Sequence, residues 1–457
     1  MKKIVALVMA LMMLICTFAA IAETPEGYPE VRTDIDLGGK EIWILTTGGS
    51  EEGTPRKEDP TEEEQLKYDY RDWLAEQFNC KFIEAKGGKW STISKNMMEY
   101  VANPDYSRYN IYMIPSAFVM SVVNNNYCAG WDVSCFDYDN GCFNIAADKF
   151  LTVNGVHYAS ANPPSSPNGV IFFNKRLLEE AGIDWNTIYD MQAEGTWTWA
   201  AWEDMLAKCT RDIDNDGVID VYGVGGDYRE LVQLAPHLNG GKFFDFDENG
   251  KMCVYGGSDE VLEALNWADK IVDTYYYDDV DRALFQKVDA FVEGKYTFGM
   301  FEAWNGFSLG SNLAVMEDEY GAVAFPLPNG GTDYLNAYSD DYWVLPNCYT
   351  AEEYATLSYI FSLYQGPIPG IDPFTSWIGD KYLATDERAI DETYAMLRDP
   401  AHGFYEMALY MEGTDEMIDD YISWDIGWHG ETPAQCIESA MPDWQAACDA
   451  YNATHGF

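Results

Sequence analysis

The stretch Gly169–Gly182, which reads GVIFFNKRLLEEAG, decides the fold class of this chain. Its first half, Gly169–Asn174, is a short continuous apolar run rich in β-branched and aromatic residues, and it predicts a buried strand. Its second half predicts a helix over Lys175–Ala181 that Gly182 ends. A strand that leads directly into a helix is the repeating unit of α/β folds with largely parallel sheets.

The same alternation continues on both sides of this stretch. We expect strands over Lys40–Thr46, Cys80–Ala85, Asn110–Ser116, Val221–Gly226, Thr297–Glu302, Gly321–Pro328 and Tyr342–Pro346. Helix caps are expected at Thr61, Thr92, Thr198, Ser258, Thr350 and Thr432, where Pro433 takes the first helical position. No long Pro/Gly/Ser linker interrupts the series, so the parts of the fold should be joined by short hinge segments.

Length and charge limit the class of protein. A chain of 457 residues exceeds the size at which one hydrophobic core keeps growing, so at least two lobes are expected. Acidic residues outnumber basic ones by 76 to 28, for a net charge of −48, which argues against binding to nucleic acid or to an anionic membrane surface. A hydrophobic content of 47% argues against disorder.

Residues 1–22 have the features of an export signal. Two lysines precede the apolar run Ile4–Phe18, and the small residues that end at Ala22 predict cleavage before Glu23. We therefore expect an exported, extracytoplasmic protein, either periplasmic or at the cell surface. Cys16 follows Ile15 rather than a small residue, so a lipid anchor is not expected.

Cysteine usage leaves two interpretations open. Nine cysteines follow the signal segment, an odd number that cannot all pair within one chain, and no CxxC motif occurs. Cys128, Cys135 and Cys142 lie seven residues apart in a loop rich in Tyr, Asp and Gly and allow one bridge. The alternative is that the cysteines are mostly buried free thiols.

Five motifs, in this order, resemble the extracellular solute-binding proteins of sugar ABC transporters, the maltose-binding-protein-like family. They are VNGVHYASA (Val153–Ala161), GVIFFNKRLLEEAGID (Gly169–Asp184), GTWTWAAWEDMLAKCT (Gly195–Thr210), GKFFDFDENGKMCVYGGSDEVLEAL (Gly241–Leu265) and VEGKYTFGMFEAW (Val292–Trp304). The resemblance extends from about Lys40 to the C terminus. It implies two discontinuous α/β lobes with a ligand cleft between them, a type II periplasmic-binding-protein-like fold.

The resemblance also implies how the chain is divided. We expect residues 38–165 plus 296–340 in the first lobe, and residues 166–295 plus 341–457 in the second. Crossings are expected near 162–168, 291–296 and 338–343, with the helix from Thr350 on the second lobe beside the strand Gly169–Asn174. The implied function is non-enzymatic: a monomeric carbohydrate-binding subunit that closes on its ligand and docks on the membrane subunits of an ABC importer.

A sugar site needs aromatic platforms for C–H faces and carboxylates or amides for hydroxyl groups. Residues of these types follow the predicted strands or lie near a crossing, and Trp304 matches the position where the family has a ligand-stacking tryptophan. The candidate ligand-binding residues are Ser50, Glu51, Ser116, Asp227, Tyr228, Trp304, Asn305, Tyr338, Asp340 and Trp428.

The loop Asp212–Asp220 has the spacing of an EF-hand calcium loop. Asp212, Asp214, Asp216 and Asp220 would supply carboxylates and Val218 its carbonyl, but position 12 is Gly223 instead of a bidentate Glu. One structural calcium ion away from the cleft is one interpretation. An acidic surface turn held by Asx hydrogen bonds is the other. We expect no organic cofactor.

Two other functional classes remain as alternatives. A secreted glycoside hydrolase would share the acidic, aromatic-rich composition and would work through two carboxylates that flank a cleft. A calcium-dependent cell-surface module would account for the Asp loop but not for two lobes. No HExxH, G-x-S-x-G or P-loop motif occurs in the chain.

Overall fold

The computed structural model describes residues 24–163, 165–277, 288–306, 312–373, 386–411 and 413–457, without the side chains of residues 415, 416, 424, 425 and 427–429. The export segment and part of the C-terminal third therefore lie outside the described residues. None of the helices in the described ranges is both long enough and apolar enough to span a bilayer.

The strands follow the predicted alternation. They are β1 Lys40–Thr46, β2 Cys80–Lys86, β3 Arg108–Pro115, β4 Cys128–Ala129, β5 Thr152–Val153, β6 Val156–His157, β7 Ala159–Ala161, β8 Gly169–Asn174, β9 Tyr222–Gly226, β10 Phe244–Phe246, β11 Met252–Val254, β12 Tyr296–Glu302, β13 Tyr320–Val323, β14 Asn336–Ala337, β15 Asp341–Pro346 and β16 Gly403–Phe404.

The α-helices lie between them. They are α1 Glu62–Gln77, α2 Ile93–Ala102, α3 Ser116–Asn124, α4 Ile145–Asp148, α5 Lys175–Glu180, α6 Asn186–Glu194, α7 Trp199–Cys209, α8 Tyr228–Leu238, α9 Asp259–Tyr275, α10 Val288–Val292, α11 Ala351–Gln365, α12 Ala395–Leu397, α13 Thr414–Ile418 and α14 Pro433–His455. Two π-helical segments, Ala389–Tyr394 and Asp419–His429, occur in the C-terminal region.

Two larger sheets organise the molecule. The first has the order β2-β1-β3-β15-β4, with β7 also paired to β15, and its strands β1, β2 and β3 are parallel. The second has the order β13-β8-β12-β9 and is mixed, because β8 runs antiparallel to both of its neighbours. The predicted class, two α/β lobes, is confirmed.

The membership of two later segments differs from our expectation. We expected β12 in the first lobe, but it lies between β8 and β9 and bonds to both, so it belongs to the second sheet. We expected β15 in the second lobe, but it pairs antiparallel with β3 in the first sheet. The chain therefore makes no crossing at 291–296. The first crossing, at 162–168, lies where it was expected, and the next runs from β13 to β15 through residues 324–340.

Helix α11 also lies on the first lobe and not beside β8. Its buried side chains Leu357, Ile360 and Phe361 share one core with Ile44 of β1 and Tyr70 of α1. The start of α11 was predicted correctly, since Thr350 and Glu353 form a capping box. The error concerned only the sheet against which the helix packs.

Several cysteines in the described residues are reduced. Cys128, Cys135 and Cys142 are free thiols, so the bridge that their spacing allows does not form. Burial raises the pKa of Cys135 and of Cys142 to about 11. These thiols therefore stay protonated near neutral pH, which lowers their reactivity.

Candidate functional site

The carboxyl ends of strands from both sheets lie next to the crossings. In the first sheet Pro115, at the end of β3, is opposite Asp341, where the chain arrives from the crossing 324–340. In the second sheet Glu302, at the end of β12, is opposite Gly169, where the crossing 162–168 arrives. Loops after β1, β2, β3, β9 and β12 therefore border one cleft between the lobes. In open α/β sheets, ligands bind outside such carboxyl ends.

Trp304 is presented at the second-lobe edge of this cleft. It lies in a short 3-10 turn that directly follows β12, and 53% of its surface is exposed. Its indole Nε1 donates a hydrogen bond to Glu302 Oε2 at 2.6 Å. The next residue, Asn305, is buried, donates from Nδ2 to the Glu302 carbonyl at 3.0 Å and accepts a hydrogen bond from Asn312. Asn305 therefore stabilises the turn, while the Trp304 ring remains exposed to solvent.

The first lobe supplies a second exposed tryptophan that our sequence analysis did not identify. Trp90 lies four residues beyond the end of β2 and is 55% exposed. Its ring contacts Phe118, in the first turn of α3 after β3, edge to face with 4.5 Å between the ring centroids. Among tryptophans whose side chains are described, only Trp90 and Trp304 are exposed. The sequence signal was the position of Trp90 after a strand and two glycines.

A cluster of buried acids around Arg229 supports the second-lobe edge. Asp227, with no exposed surface, caps α8 and accepts a hydrogen bond from Arg229 Nε at 2.8 Å. Arg229 Nη1 also donates to Asp419 at 3.1 Å. The predicted residues Asp227 and Tyr228 are therefore both buried, and Asp227 is neutralised within the protein.

Glu230 lies in the same cluster and has an unusual ionisation. Burial, followed by the nearby charges of Glu302 and Asp227, raises the pKa of Glu230 well above its ordinary value. Asn168, in the first crossing, donates from Nδ2 to Glu230 Oε1 at 3.2 Å. A Cβ at Gly169 would lie 2.2 Å from Glu230 Oε2, so glycine is needed there for the close approach. Glu230 thus joins the second lobe to the hinge.

The remaining first-lobe candidates differ in exposure. Glu51 is exposed and Ser50 is partly buried. The Ser50 carbonyl accepts a hydrogen bond from Lys86 N at 2.9 Å, which holds the loop after β1 against the end of β2. Ser116 is buried at the start of α3, directly after β3.

Tyr338 and Asp340 are hinge residues. Tyr338 is buried and donates from its hydroxyl to the Asp399 carbonyl at 3.1 Å. Asp340 accepts a hydrogen bond from Ser165 Oγ at 2.7 Å, and burial raises its pKa to about 6. The Asp340 side chain therefore links the two crossings, whereas the Tyr338 side chain ties the second crossing to the C-terminal region. Trp428 lies in the segment Asp419–His429, but its side chain is outside the described residues.

The Asp loop brings three of its carboxylates together. One oxygen each from Asp212, Asp214 and Asp216 lies within 4.8 Å of the others. Within the described structure Asp212 Oδ1 is buried and has no hydrogen-bond partner. Asp220 accepts a hydrogen bond from Ile213 N at 2.7 Å instead of joining the three. The cluster has the oxygen donors that calcium prefers.

The same loop also has the hydrogen bonds of an acidic surface turn. Asp212 accepts from Gly217 N at 2.9 Å, and Asp216 accepts from Val218 N at 2.8 Å. The loop precedes β9, whose opposite end borders the cleft. Five residues of strand, about 16 Å, therefore separate the loop from the edge of the cleft.

Comparison with known proteins supports the fold. The sequence matches no family model and no curated protein. In structure the chain is similar to the ABC substrate-binding protein Lmo0181 from Listeria monocytogenes in complex with cycloalternan. The two structures align with a TM-score of 0.59 and 14% identity, over 92% of this chain and 100% of that one. It is similar to a cyclo/maltodextrin-binding protein complexed with maltotetraose, with a TM-score of 0.60, 14% identity and coverage of 89% and 97%.

A third similar structure has a different type of ligand. UgpB from Mycobacterium tuberculosis, in complex with glycerophosphocholine, aligns with a TM-score of 0.60 and 14% identity over 91% of this chain and 99% of that one. Two of the three are described as binding proteins and the third has a bound ligand, and the predicted resemblance is confirmed at the level of the fold.

Proposed function

We propose that this protein is the extracytoplasmic binding subunit of an ABC importer and that it binds a carbohydrate by closing its two lobes. The observation that carries the proposal is the exposed ring of Trp304, fixed at the carboxyl end of β12 beside the hinge. An aromatic ring that is held in place and left in solvent is suited to stack on the C–H face of a sugar.

The chemistry around that ring fits the same class of ligand. Glu302 accepts the indole hydrogen of Trp304 through one oxygen, so a carboxylate lies beside the ring, and carboxylates accept hydrogen bonds from sugar hydroxyl groups. Trp90 offers a second ring at the first-lobe edge. A ligand that contacts both edges binds the closed arrangement more tightly than the open one, and this difference in affinity shifts the population toward closure.

The glycoside hydrolase alternative is weaker on the same geometry. A hydrolase needs one carboxyl group that protonates the leaving oxygen and a second that acts on the other side of the bond. Glu230 has the raised pKa of an acid, but it is buried and hydrogen-bonded to Asn168 at the hinge. We infer that this carboxyl group stabilises the arrangement of hinge and lobe and does not act on a ligand.

A glycan panel tests the proposed function. We expect neutral oligosaccharides of the maltose and manno series to raise the melting temperature, because a ligand that binds only the folded protein stabilises it. Calorimetric titration of the best glycan should give saturable binding with one ligand per chain, and chromatography should recover the glycan intact. Cleavage of the glycan would support the hydrolase alternative, and no response to any glycan would contradict a carbohydrate ligand.

Export and the transporter partner form part of the same proposal. The features of residues 1–22 support secretion, with ABC membrane subunits as the partners of a monomeric receptor. N-terminal sequencing of protein recovered outside the cytoplasm should begin at Glu23. A protein that keeps Met1 would contradict the export signal.

We also propose one structural calcium ion in the Asp loop. The support is the cluster of three carboxylates with one buried oxygen that lacks a hydrogen-bond partner in the described structure. Close carboxylates repel each other in the absence of a cation. Calcium would stabilise the connection between α7 and β9, with no direct part in ligand binding.

A further inference from the structure

A cavity of about 450 Å³ lies behind the hinge, away from the cleft. One wall comes from the first lobe, with Lys149 and Phe150, and another comes from the second lobe, with His237 and Phe244. Its position follows from α8: Glu230 lies in the first turn, near the cleft, whereas His237 in the cavity wall lies seven residues later. That separation is about 10 Å along the helix axis. The cavity is therefore distinct from the cleft.

The walls of the cavity are mostly aromatic. Phe244 and Phe246 of β10, Phe404 and Tyr405 beside the hinge, and Tyr451 of α14 line it. His237 stacks on Phe404 with 4.0 Å between the ring centroids, and its Nε2 lies 3.0 Å from Glu406. This histidine is fully engaged within the protein, so it forms part of the wall. A lining of this kind accepts a flat ring.

Two lysines and one carboxylate, that of Asp245, line the cavity, so the charged groups of its walls leave one net positive charge. Lys149 Nζ lies 4.8 Å from the Phe150 ring centroid, and within the described residues no carboxylate lies within ion-pair distance of it. Lys242 pairs with Asp245 at 2.6 Å, and both of these side chains are largely exposed. In a chain with 76 acidic and 28 basic residues, an unpaired lysine at an aromatic cavity is a complementary site for one negative charge.

We propose that this cavity is a second ligand site and that its ligand is a single six-membered ring that carries one carboxylate. The ring would lie among the aromatic walls and the carboxylate would face Lys149, with Lys242 nearby. The volume falls within the range of about 300–1,000 Å³ that is usual for small-molecule sites. A uronic acid and an arene carboxylate share this chemistry.

The second site should respond to lobe movement, because its walls belong to both lobes. Phe150 stacks on Tyr410 with 4.8 Å between the ring centroids, and the Tyr410 hydroxyl is hydrogen-bonded to Tyr342 of the first sheet, so Phe150 is held on the first lobe. A change in the angle between the lobes would move Lys149 and Phe150 relative to His237 and Phe244 on the second-lobe wall. Binding here and binding in the cleft are therefore coupled, and the coupling is reciprocal. This last point rests on the proposed function, whereas binding of the acid itself does not.

Ligand-observed NMR titration with glucuronate and with benzoate tests the second site, with glucose and benzyl alcohol as neutral controls. Acids and neutral controls are compared in Trp304→Ala protein, where the proposed sugar stacking in the cleft is removed. We expect one acid or both to bind, and each neutral analogue to bind at least five times more weakly than its acid. Lys149→Met should weaken acid binding by up to about fivefold, the upper range for an ion pair near a protein surface. The matched control Lys95→Met, on the far helix α2, should not change it. Binding of glucuronate would indicate that the ligand is a uronic acid, and binding of benzoate would indicate an arene carboxylate.

Three results would overturn the second site. They are no binding of either acid up to about 10 mM, where even a complex of millimolar affinity would be detected, equal binding of the neutral analogues, or equal affinity in wild type and Lys149→Met. If Trp304→Ala abolishes acid binding while Lys149→Met retains it, the acids bind in the cleft. That result would reject this site and leave the carbohydrate proposal intact.

Discussion

The two edges of the cleft both display a tryptophan, but they are built differently. On the second lobe Trp304 is hydrogen-bonded to Glu302 and follows a turn held by the buried Asn305. The strand β12 that leads to this turn accepts a hydrogen bond at the Met300 carbonyl from Asp227 N, and Asp227 pairs with Arg229. On the first lobe Trp90 rests edge-on against Phe118. We infer that the second lobe is preorganised for the ligand, while the first lobe adapts as the cleft closes.

The largest expected effect concerns the ion pair between Asp227 and Arg229 on the second lobe. Arg229→Met would leave Asp227, which has no exposed surface, without its cation. Loss of one partner of a buried pair typically costs about 3–5 kcal/mol in the free energy of unfolding. Urea denaturation measures this change.

The matched control for this substitution is Arg32→Met. Arg32 pairs with Asp34 at 2.7 Å, but the two side chains are 51% and 68% exposed. Because solvent screens so exposed a pair, Arg32→Met should change the free energy of unfolding far less than Arg229→Met. Equal losses in the two variants would show that the second-lobe edge is not rigidly supported by its buried charges.

The second prediction concerns the dependence of stability on pH. The pKa of Glu230 is raised well above its ordinary value of 4.5, so the folded protein holds this proton to a higher pH than the unfolded chain does. Folding therefore becomes less favourable as the pH rises from about 4.5 toward the raised pKa, and the loss is constant above it.

Glu230→Gln removes this dependence. The free energy of unfolding of the variant, relative to wild type, should rise with pH by up to about 1.4 kcal/mol per unit within that window. The raised pKa values of Asp148, about 7, and of Asp340, about 6, are common to both proteins and cancel in the difference. Parallel stability curves for the two proteins would mean that Glu230 ionises normally.

Trp304→Ala is expected to reduce affinity while stability is kept. Stacking of a sugar on the indole is worth about 1–3 kcal/mol, so affinity for the best glycan should fall about tenfold or more. Because the ring is 53% exposed, the melting temperature should change little. Calorimetric titration and a melting curve measure the two effects separately.

The control for a core tryptophan is Trp444→Ala. Trp444 is fully buried and should lose about 3–5 kcal/mol of stability, as large-to-small changes in a core do. Binding by its folded fraction should be retained. If Trp304→Ala instead loses stability and keeps its affinity, the platform role of Trp304 is wrong.

Local structure could be predicted well because its causes lie within a few residues. The capping boxes at Thr61 and Thr350, the strand Gly169–Asn174 and the proline at the start of α14 all occur as expected. Each depends on a cap, an apolar run or a missing N–H, and these features are visible in the local sequence.

Sheet membership and the composition of the site could not be predicted in this way. The apolar run of β12 suits either sheet, and only its hydrogen bonds with β8 and β9 decide between them. Glu230 and Arg229 look like ordinary helix residues until the fold brings Asn168, Glu302 and Asp419 to them. Trp90 was missed because aromatic residues are common in this chain and exposure cannot be read from composition.

The next prediction concerns calcium binding by the Asp loop, which lies away from both edges of the cleft. If the loop binds calcium with the affinity usual for extracellular modules, a concentration ten times the dissociation constant should stabilise the protein by about 1.4 kcal/mol. Asp214→Ala should remove this response, because one of the three clustered carboxylates is lost. Differential scanning calorimetry with calcium and with EDTA measures it. An equal response in the variant would place any calcium elsewhere, and a change in glycan affinity would contradict the separation of loop and cleft.

Trp90→Ala has the smallest expected effect and tests the comparison of the two edges most directly. If the first lobe adapts to a ligand that is already held by the second, removal of the Trp90 ring should weaken binding about threefold, or about 0.7 kcal/mol. This loss is smaller than that for Trp304→Ala because less of the stacking energy remains after an unbraced ring has been ordered. In stopped-flow measurements the loss should appear in the dissociation rate, since the ring closes on a bound ligand. A larger loss for Trp90→Ala than for Trp304→Ala would reverse the roles of the lobes and make the first-lobe edge the main platform.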